Sequence, residues 1–468
     1  MAAGPAQALL LTKMKKTAIF LAFLLGSITL YSQTFYEGKL AAFKFGLQID
    51  TVQKTALLYI PEQGLFPYAV KNPVFRNDSL VAELKAFGVL LSGKISAEMF
   101  DGQWKQNGFP APVKLSKVAE FSFMKRPQQP VGPFVYRAQN VQFYNADRSI
   151  RFGGTLTLPK GKGPFTTAVL ISGSGQEDRD ETIFGHKPFW VIADYLARQG
   201  IAVLRTDDRG VGETTGDIGT SADYAQDVLA ALAYLKTRPE INKKKMGLIG
   251  HSEGGLIAPL VAVQSKDVAF IVSLAGLGVN GTELLLQQND DVLKQSGMSA
   301  EVRGHYKELN ALIYSKSASL TPNDDIGDSL KKVVLTWAQK QPAGRLGQMG
   351  FAGDFGKKQL EKTALSVNNK WFRYFLAYDP APTLAQIKIP VLALNGSADV
   401  QVAAVQNLAG FEKGLTAAGN KNFKTVSLPG LNHLFQKCQK CTATEYGLLE
   451  ETFSIDALQL VGDWLKQR

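Results

Sequence analysis

The stretch KMGLIGHSEGGLIAPLVA, residues 245–262, decides the fold of the larger part of this chain. An apolar run ends in Gly-His-Ser-Glu-Gly, and a run of small and apolar residues with helical character follows at once. Gly-x-Ser-x-Gly alone is weak evidence in a chain with 44 glycines, so the neighbouring residues must decide. A strand that stops abruptly, a helix that starts within two residues and small residues on both sides of the serine are typical of a nucleophile elbow. The stretch therefore predicts that Ser252 lies on a sharp turn at the carboxyl end of a sheet strand.

Strands and helices alternate on both sides of this stretch. Buried strands are predicted within 166–175, 201–210, 268–276, 389–399 and 423–433, helices within 187–200, 221–238 and 454–467, and a hairpin within 140–159. Such alternation indicates an α/β fold, with a mostly parallel sheet and helices on both faces. Residues 280–370 interrupt it with amphipathic helices and no convincing strand, so we expect a helical cap there.

Residues 34–126 follow a different pattern. Short, partly alternating apolar runs are separated by Gly, Asn, Asp and Pro, which predicts a small N-terminal antiparallel β domain. A proline-rich linker is predicted at 127–137, and the catalytic domain, cap included, at 138–468.

The N-terminus has the layout of a secretory signal. Three lysines precede an apolar stretch, Ala18–Leu30, and small and polar residues follow before Thr34. The apolar stretch is shorter than the about 20 residues of a membrane span. We therefore expect a signal peptide over 1–33, a periplasmic or secreted location and no stable membrane insertion, with an uncleaved anchor as the weaker alternative.

Composition excludes few function classes. Hydrophobic residues make up 45% of the chain and charged residues 20%, as in ordinary globular proteins. The net charge of +11 is not gathered into one run and no nucleic-acid module is visible, so no nucleic-acid partner is expected. Cys438 and Cys441 are too few for a zinc site, and either a local disulfide or two free thiols fits them. No metal or organic cofactor is expected.

A serine nucleophile needs a base, and the chain has four histidines. His251 adjoins the serine on a turn that points neighbouring side chains apart. His305 lies in the predicted cap, and His186 precedes the serine in the chain. His433 follows the last predicted strand, where the order Ser, then Asp or Glu, then His requires the base.

The remaining parts of the site follow from the same topology. Asp399 comes directly after the strand within 389–399 and would orient the histidine, although capping the helix near Val402 is an alternative role. The oxyanion donors would be the backbone N–H groups of Glu253 and of Ser174, in the glycine-rich loop after the strand at 166–171.

Five motifs together carry a family resemblance: ISGSGQEDRDE, LRTDDRGVGETTGD, GLIGHSEGG, LNGSADVQV and GLNHLFQ. In this order the chain resembles exported bacterial α/β-hydrolase esterases, related to the serine aminopeptidase-like and dienelactone-hydrolase-like groups. The resemblance implies the α/β-hydrolase fold over 138–468 and carries the nucleophile, acid and base onto Ser252, Asp399 and His433. Glu213-Thr214 departs from the family pattern in a loop where Asp207, Asp208 and Arg209 are expected to brace the structure.

These patterns predict a serine carboxylesterase acting on a small-molecule ester through an acyl-enzyme. The first alternative is an aminopeptidase with the same mechanism, in which Glu177, Asp178 or Asp180 would anchor the substrate amine. The second is a non-catalytic binding or scaffold protein, which the presence of all three triad residues disfavours.

Overall fold

The computed structural model describes residues 33–63, 65–321 and 324–468. The predicted signal peptide therefore lies outside the described residues, except for Gln33, which begins the first strand. The chain divides into two compact units, one ending at Ser122 and the other spanning Phe123–Arg468. The sequence interpretation put this division after residue 126. No helix in the described ranges is long and apolar enough to cross a membrane.

The first unit contains a nine-stranded antiparallel sheet. Its strands are β1 Gln33–Leu40, β2 Phe43–Asp50, β3 Thr55–Ile60, β4 Leu65–Ala69, β5 Val74–Arg76, β6 Ser79–Leu84, β7 Val89–Ile95, β8 Met99–Gln106 and β9 Phe109–Val118. Their order in the sheet is β4-β3-β2-β1-β9-β8-β7-β6-β5. In β6, Leu80, Ala82 and Leu84 are buried while the residues between them are exposed, so one face of the strand packs on a core. The antiparallel β domain predicted here is confirmed.

The second unit contains an eight-stranded mixed sheet. Its strands are β10 Arg137–Tyr144, β11 Arg151–Leu158, β12 Phe165–Ile171, β13 Ala202–Thr206, β14 Ile241–His251, β15 Val268–Leu274, β16 Val391–Gly396 and β17 Phe423–Leu428. Their order is β10-β11-β13-β12-β14-β15-β16-β17. The first two are the predicted hairpin, and from β13 onward every neighbouring pair is parallel. The central strands are almost wholly buried, as expected for a sheet covered on both faces.

Twelve helices accompany this sheet in the described residues. They are α1 Pro188–Arg198, α2 Ser221–Lys236, α3 Glu253–Gln264, α4 Gly281–Gln295, α5 Ala300–Ser319, α6 Ile326–Gln339, α7 Ala343–Gln348, α8 Gly353–Leu365, α9 Lys370–Ala377, α10 Ala381–Leu384, α11 Ala404–Ala417 and α12 Ile455–Lys466. Between β15 and β16 lie the short helix α10 and, before it, the six helices α4 to α9. They pack around an apolar cluster of their own that includes Leu309, Leu330 and Trp337. The predicted helical cap is therefore present.

The parallel strands place four connections at one edge of the sheet. Strands β12, β14, β16 and β17 all run in the same direction, so the loops after their carboxyl ends converge. We call residues 172–175, after β12, the donor loop and residues 429–437, after β17, the base loop. These two loops, the β14–α3 turn and the turn after β16 carry the residues described next.

Candidate active site

Ser252 lies between β14 and α3 in a strained backbone conformation. Its φ of 52° and ψ of −115° are rarely adopted by a residue with a side chain. The turn is tight because its glycines touch main chain: a methyl group on Gly250 would overlap the carbonyl of Gly254, and one on Gly254 would overlap that of Ile171. Small residues on both sides of the serine are therefore required by close backbone approach, as the sequence pattern indicates.

Asp399 and His433 meet across two loops. The Nδ1 atom of His433 lies 2.8 Å from Oδ2 of Asp399, and both side chains are buried. The other carboxylate oxygen accepts hydrogen bonds from the N–H groups of Gln401 and Val402, at 2.8 and 2.9 Å. The carboxylate thus orders its own turn and also accepts the imidazole N–H. That leaves Nε2 of His433 as the nitrogen available for proton transfer.

Ser252 and His433 line one cavity of about 300 Å³. Among the described residues no hydrogen bond joins their side chains, a common situation in free hydrolases whose catalytic contacts tighten only with substrate. The cavity is mostly apolar, with Leu277, Leu284 and Phe375 among its walls. A hydroxyl, an imidazole and an apolar chamber therefore face each other at the edge of the sheet.

The two residues predicted to supply the oxyanion donors lie near the serine. Glu253 is the first residue of α3, so its N–H has no partner within the helix. Ser174, in the donor loop, also lines the cavity. The donor loop is close to the nucleophile, since a methyl group on Gly173 would come within 3.3 Å of the Ser252 Cβ.

The side chain of Glu253 connects the turn to the cap. It is buried and accepts hydrogen bonds from the Ser221 hydroxyl at 2.6 Å and from the Trp371 indole N–H at 2.8 Å. Burial raises the pKa of this carboxyl group. Trp371 stacks on Phe375, and both rings line the cavity, although core packing is the commoner role for such aromatic residues.

A second carboxylate–imidazole pair, not anticipated from the sequence, lies under the site. Oε1 of Glu181 lies 2.8 Å from Nδ1 of His251 and also accepts the Gly173 N–H at 2.8 Å. Nε2 of His251 lies 3.0 Å from the carbonyl oxygen of His433. Burial alone would lower the pKa of His251, but the adjoining Glu181 carboxylate outweighs it and raises that pKa to about 9. Glu181 is one of five consecutive charged residues, and nothing in the sequence distinguishes it from the others.

The acidic residues considered for an amine anchor differ in their surroundings. Asp178 accepts hydrogen bonds from the Asp180 N–H and from Thr182, and Asp180 pairs with Arg205 and Lys187. Glu177 lines the cavity, and burial together with the nearby Glu181 and other carboxylates raises its pKa to about 7. Of these three acids in the described chain, only Glu177 faces the cavity.

The loop after β13 braces the donor loop. Asp207 forms an ion pair with Arg179 at 2.5 Å, and Arg209 forms one with Asp227 at 2.7 Å. Asp208 accepts hydrogen bonds from the Ser172 hydroxyl and the Glu177 N–H. These contacts fit the bracing role expected for Asp207, Asp208 and Arg209.

For the two cysteines the sequence allows two alternatives, and the structure has the disulfide: Cys438 and Cys441 are bonded to each other directly after the base loop. Across residues 33–63, 65–321 and 324–468, no group of three or more His, Cys, Asp or Glu side chains is arranged to hold a metal ion.

Comparison with known proteins agrees with this geometry. The family model described as serine aminopeptidase, S33, matches residues 189–313, which include the Ser252 turn. This match, the order of the strands in the sheet and the strand–turn–helix at Ser252 together identify the fold. Residues 123–468 have the α/β-hydrolase fold. The fold class and the α/β-hydrolase resemblance expected from the sequence are confirmed.

The chain is also similar to proteins named as esterases. Esterase EstD of Thermotoga maritima is 27% identical over 296 residues, which are 63% of this chain and 60% of EstD. The chain thus matches less than two thirds of that relative's length. Among solved structures, the Pyrococcus furiosus esterase Pf2001 is 15% identical with a TM-score of 0.41, over 74% of this chain and 98% of Pf2001. Est1E of Butyrivibrio proteoclasticus, described with bound ferulic acid, is 17% identical with a TM-score of 0.38, over 70% of this chain and 96% of Est1E.

Proposed function

We propose that this protein is a serine carboxylesterase. The Ser252 oxygen attacks the ester carbonyl while Nε2 of His433 takes the hydroxyl proton. The tetrahedral oxyanion is stabilised by the N–H groups of Glu253 and Ser174. The C–O bond to the alcohol then breaks, His433 returns its proton to the departing alkoxide, and the acyl group stays on Ser252. Water, deprotonated by the same imidazole, attacks the acyl-enzyme. The bond between the acyl carbon and the Ser252 oxygen then breaks, His433 returns the proton to that oxygen, and the acid is released.

The observation that carries this proposal is the relation between Ser252 and the Asp399–His433 pair. The carboxylate accepts the Nδ1 proton, which leaves the Nε2 lone pair for a hydroxyl in the same cavity. The strained serine backbone supports the same role, because such strain concentrates at functional sites. The similarity to EstD favours ester substrates.

The cavity favours a small acyl group of apolar character. Leucine and phenylalanine side chains form much of the apolar part of its walls, and its volume is at the low end of the range for small-molecule sites. We therefore expect nitrophenyl esters of short and medium acyl chains to be hydrolysed faster than those of long chains.

The test is covalent labelling combined with kinetics. A fluorophosphonate probe is expected to label the wild type once per chain, and Ser252→Ala is expected to abolish both labelling and nitrophenyl ester hydrolysis. Ser273→Ala is a matched control, since Ser273 is a buried serine of neighbouring strand β15. Folded wild-type protein without label would contradict the proposal and favour a binding role.

A second candidate function, removal of N-terminal residues from peptides, is favoured by one observation. Glu177 puts a carboxyl group in the cavity wall, where it would pair with a substrate ammonium group. Aminoacyl anilides distinguish the two functions: a peptidase would cleave them at rates comparable to esters and lose this activity selectively in Glu177→Gln. A wild type that hydrolyses esters but not aminoacyl anilides would leave the esterase as the only supported function.

We also propose that the protein is exported. The N-terminal sequence pattern supports this, and a disulfide is typical of oxidising compartments. Fractionation of a bacterial host is expected to find the processed chain in the periplasm or medium. Full-length protein in the cytoplasm alone would contradict it.

A further inference from the structure

The Glu181–His251 pair has contacts that no step of the proposed reaction uses. Glu181 accepts the N–H of Gly173, the residue before the proposed donor Ser174. His251 reaches the carbonyl oxygen of His433, the proposed base. The two side chains thus form a continuous bridge from the donor loop to the base loop, beneath Ser252.

The bridge is complete only when His251 carries two protons. Nδ1 faces a carboxylate oxygen and Nε2 faces a carbonyl oxygen, and neither of these can donate a hydrogen bond. A neutral imidazole has one N–H and would leave one of the two contacts as lone pair against lone pair. Buried polar groups are costly when unpaired, so the geometry favours the imidazolium between its two acceptors. The raised pKa of His251, caused by Glu181 against the effect of burial, agrees with this protonation state.

The backbone at Glu181 indicates that this side chain matters. Its φ of 51° lies in the left-handed region, which glycine adopts at no steric cost and other residues adopt rarely. Glu181 adopts this conformation despite its side chain, and its carboxylate is buried with the imidazole.

We propose that Glu181 and His251 are positioning residues that hold the Ser174 donor and the His433 base in register with Ser252. This inference rests on the proposed esterase function. It assigns no proton transfer to His251, since both ring nitrogens are engaged. The bridge fixes the main chain on two sides of the nucleophile, so that the donor and the base are aligned before the transition state forms.

The decisive variant is Glu181→Gln. Its amide cannot sustain the imidazolium, so His251 becomes neutral and one end of the bridge is lost. Because only transition-state contacts are affected, kcat for a nitrophenyl ester is expected to fall about 10- to 100-fold while KM stays within about threefold. Glu181→Asp, which keeps the charge, is expected to recover part of kcat. Active-site titration with a fluorophosphonate restricts the comparison to folded protein.

The matched control is Glu240→Gln, which removes a half-buried ion pair with Arg238 just before the amino end of β14, away from the loops of the site. It is expected to lower the melting temperature and leave kcat within about twofold. A Glu181→Gln enzyme with kcat within twofold of the wild type, or a kcat loss equally large in Glu240→Gln, would overturn the inference. Failure of the esterase proposal is distinguishable, because the wild type itself would then be neither labelled nor active.

A measurement on the wild type keeps the inference testable if the variants do not fold. Loss of the second His251 proton above pH 9 breaks the bridge, so kcat is expected to fall there with little change in KM. The charged or titratable groups facing His251 are Glu181, Glu177, Asp399 and His433. A kcat that stays constant to about pH 10.5 would refute the bridge.

Discussion

Replacing Asp399 with Asn tests the proposed triad most directly, because the structure dictates how the amide must sit. Oδ1 of Asp399 accepts two main-chain N–H groups, at 2.8 and 2.9 Å. Oδ2 accepts the His433 imidazole at 2.8 Å and a longer contact from Asn395 at 3.3 Å. The asparagine oxygen will stay with the two main-chain donors, since turning the amide round would set its NH₂ against both. The NH₂ group then points at Nδ1 of His433.

This orientation gives His433 the wrong tautomer. An NH₂ donor at Nδ1 requires a lone pair there, which moves the ring proton to Nε2 and removes the acceptor that Ser252 needs. Loss of the negative charge also withdraws support from the imidazolium that forms during the reaction. Together these effects are expected to lower kcat by about 10³- to 10⁴-fold, which corresponds to about 4–5.5 kcal/mol of transition-state stabilisation.

The assay is steady-state hydrolysis of a short-chain nitrophenyl ester, with melting temperature as the check on folding. Glu445→Gln is the matched control, because Glu445 is a buried carboxylate that accepts the N–H groups of Lys440 and Cys441 but lies outside the proposed machinery. It is expected to keep kcat within about threefold. If folded Asp399→Asn retained a tenth of the wild-type kcat, Asp399 would not be orienting His433. The turn-ordering role seen in its contacts with Gln401 and Val402 would then be its whole function.

Three further outcomes follow from the structure. Trp371 lines both the 300 Å³ cavity and a second cavity of about 700 Å³. Removing the indole would extend the space open to an acyl chain, so Trp371→Ala is expected to lower KM for long-chain nitrophenyl esters several-fold relative to short ones. An unchanged chain-length profile would show that the indole does not limit acyl length. Burial and the nearby Arg126 lower the pKa of His186 to about 3, so the stability it contributes is present above its ordinary pKa and is lost as the pH falls from about 6.5 toward 3. The melting temperature is therefore expected to decrease less steeply with falling pH in His186→Gln than in the wild type. An equal decrease in both proteins would contradict this role of His186. The pKa of His251 is raised to about 9, so the stability that its ion pair with Glu181 contributes is fully present below about pH 6.5 and is lost as the pH rises through 9. The melting temperature of the wild type is expected to drop over this range. A drop of the same size in Glu181→Gln would contradict the assignment of the charge to this pair.

The parts of the site that the sequence predicts are those that depend on chain order and local turn chemistry. Ser252 is predicted from a strand, a tight glycine turn and a helix within one short stretch. The close contacts of Gly250 and Gly254 with main-chain atoms show why glycine is needed at both positions. Asp399 and His433 can be predicted because each follows a parallel strand, and the carboxyl ends of parallel strands meet at one edge of the sheet. The parts of the site that the sequence does not predict depend on the path of long loops. Selecting Glu181 from five adjacent charged residues requires knowing which carboxylate turns inward.

His251 illustrates the same limit. The sequence argues against His251 as the base, because neighbouring side chains on an elbow point apart. In the structure, however, the ring centroid of His251 lies 4.8 Å from that of His433. What disqualifies it chemically is that a carboxylate and a carbonyl occupy its two nitrogens. The partners of a histidine, which arrive from distant loops, decide its role more than its place in the chain does.

The distribution of charge around Ser252 is consistent with an oxyanion forming there. Four carboxyl groups lie around the site, three of them buried and that of Asp208 half-buried. An ionised, unpaired carboxylate beside the oxyanion would oppose its formation. Glu181 faces an imidazolium, so its charge is balanced. Burial raises the pKa of Glu253 and raises that of Asp208 to about 7, which favours the neutral form of both next to the proposed donors. Asp399 is the exception, and its hydrogen bonds from two main-chain N–H groups and from His433 direct its charge toward the imidazole. The negative charge of the site is thereby concentrated behind the base, where it stabilises the imidazolium, and is kept away from the position of the developing oxyanion.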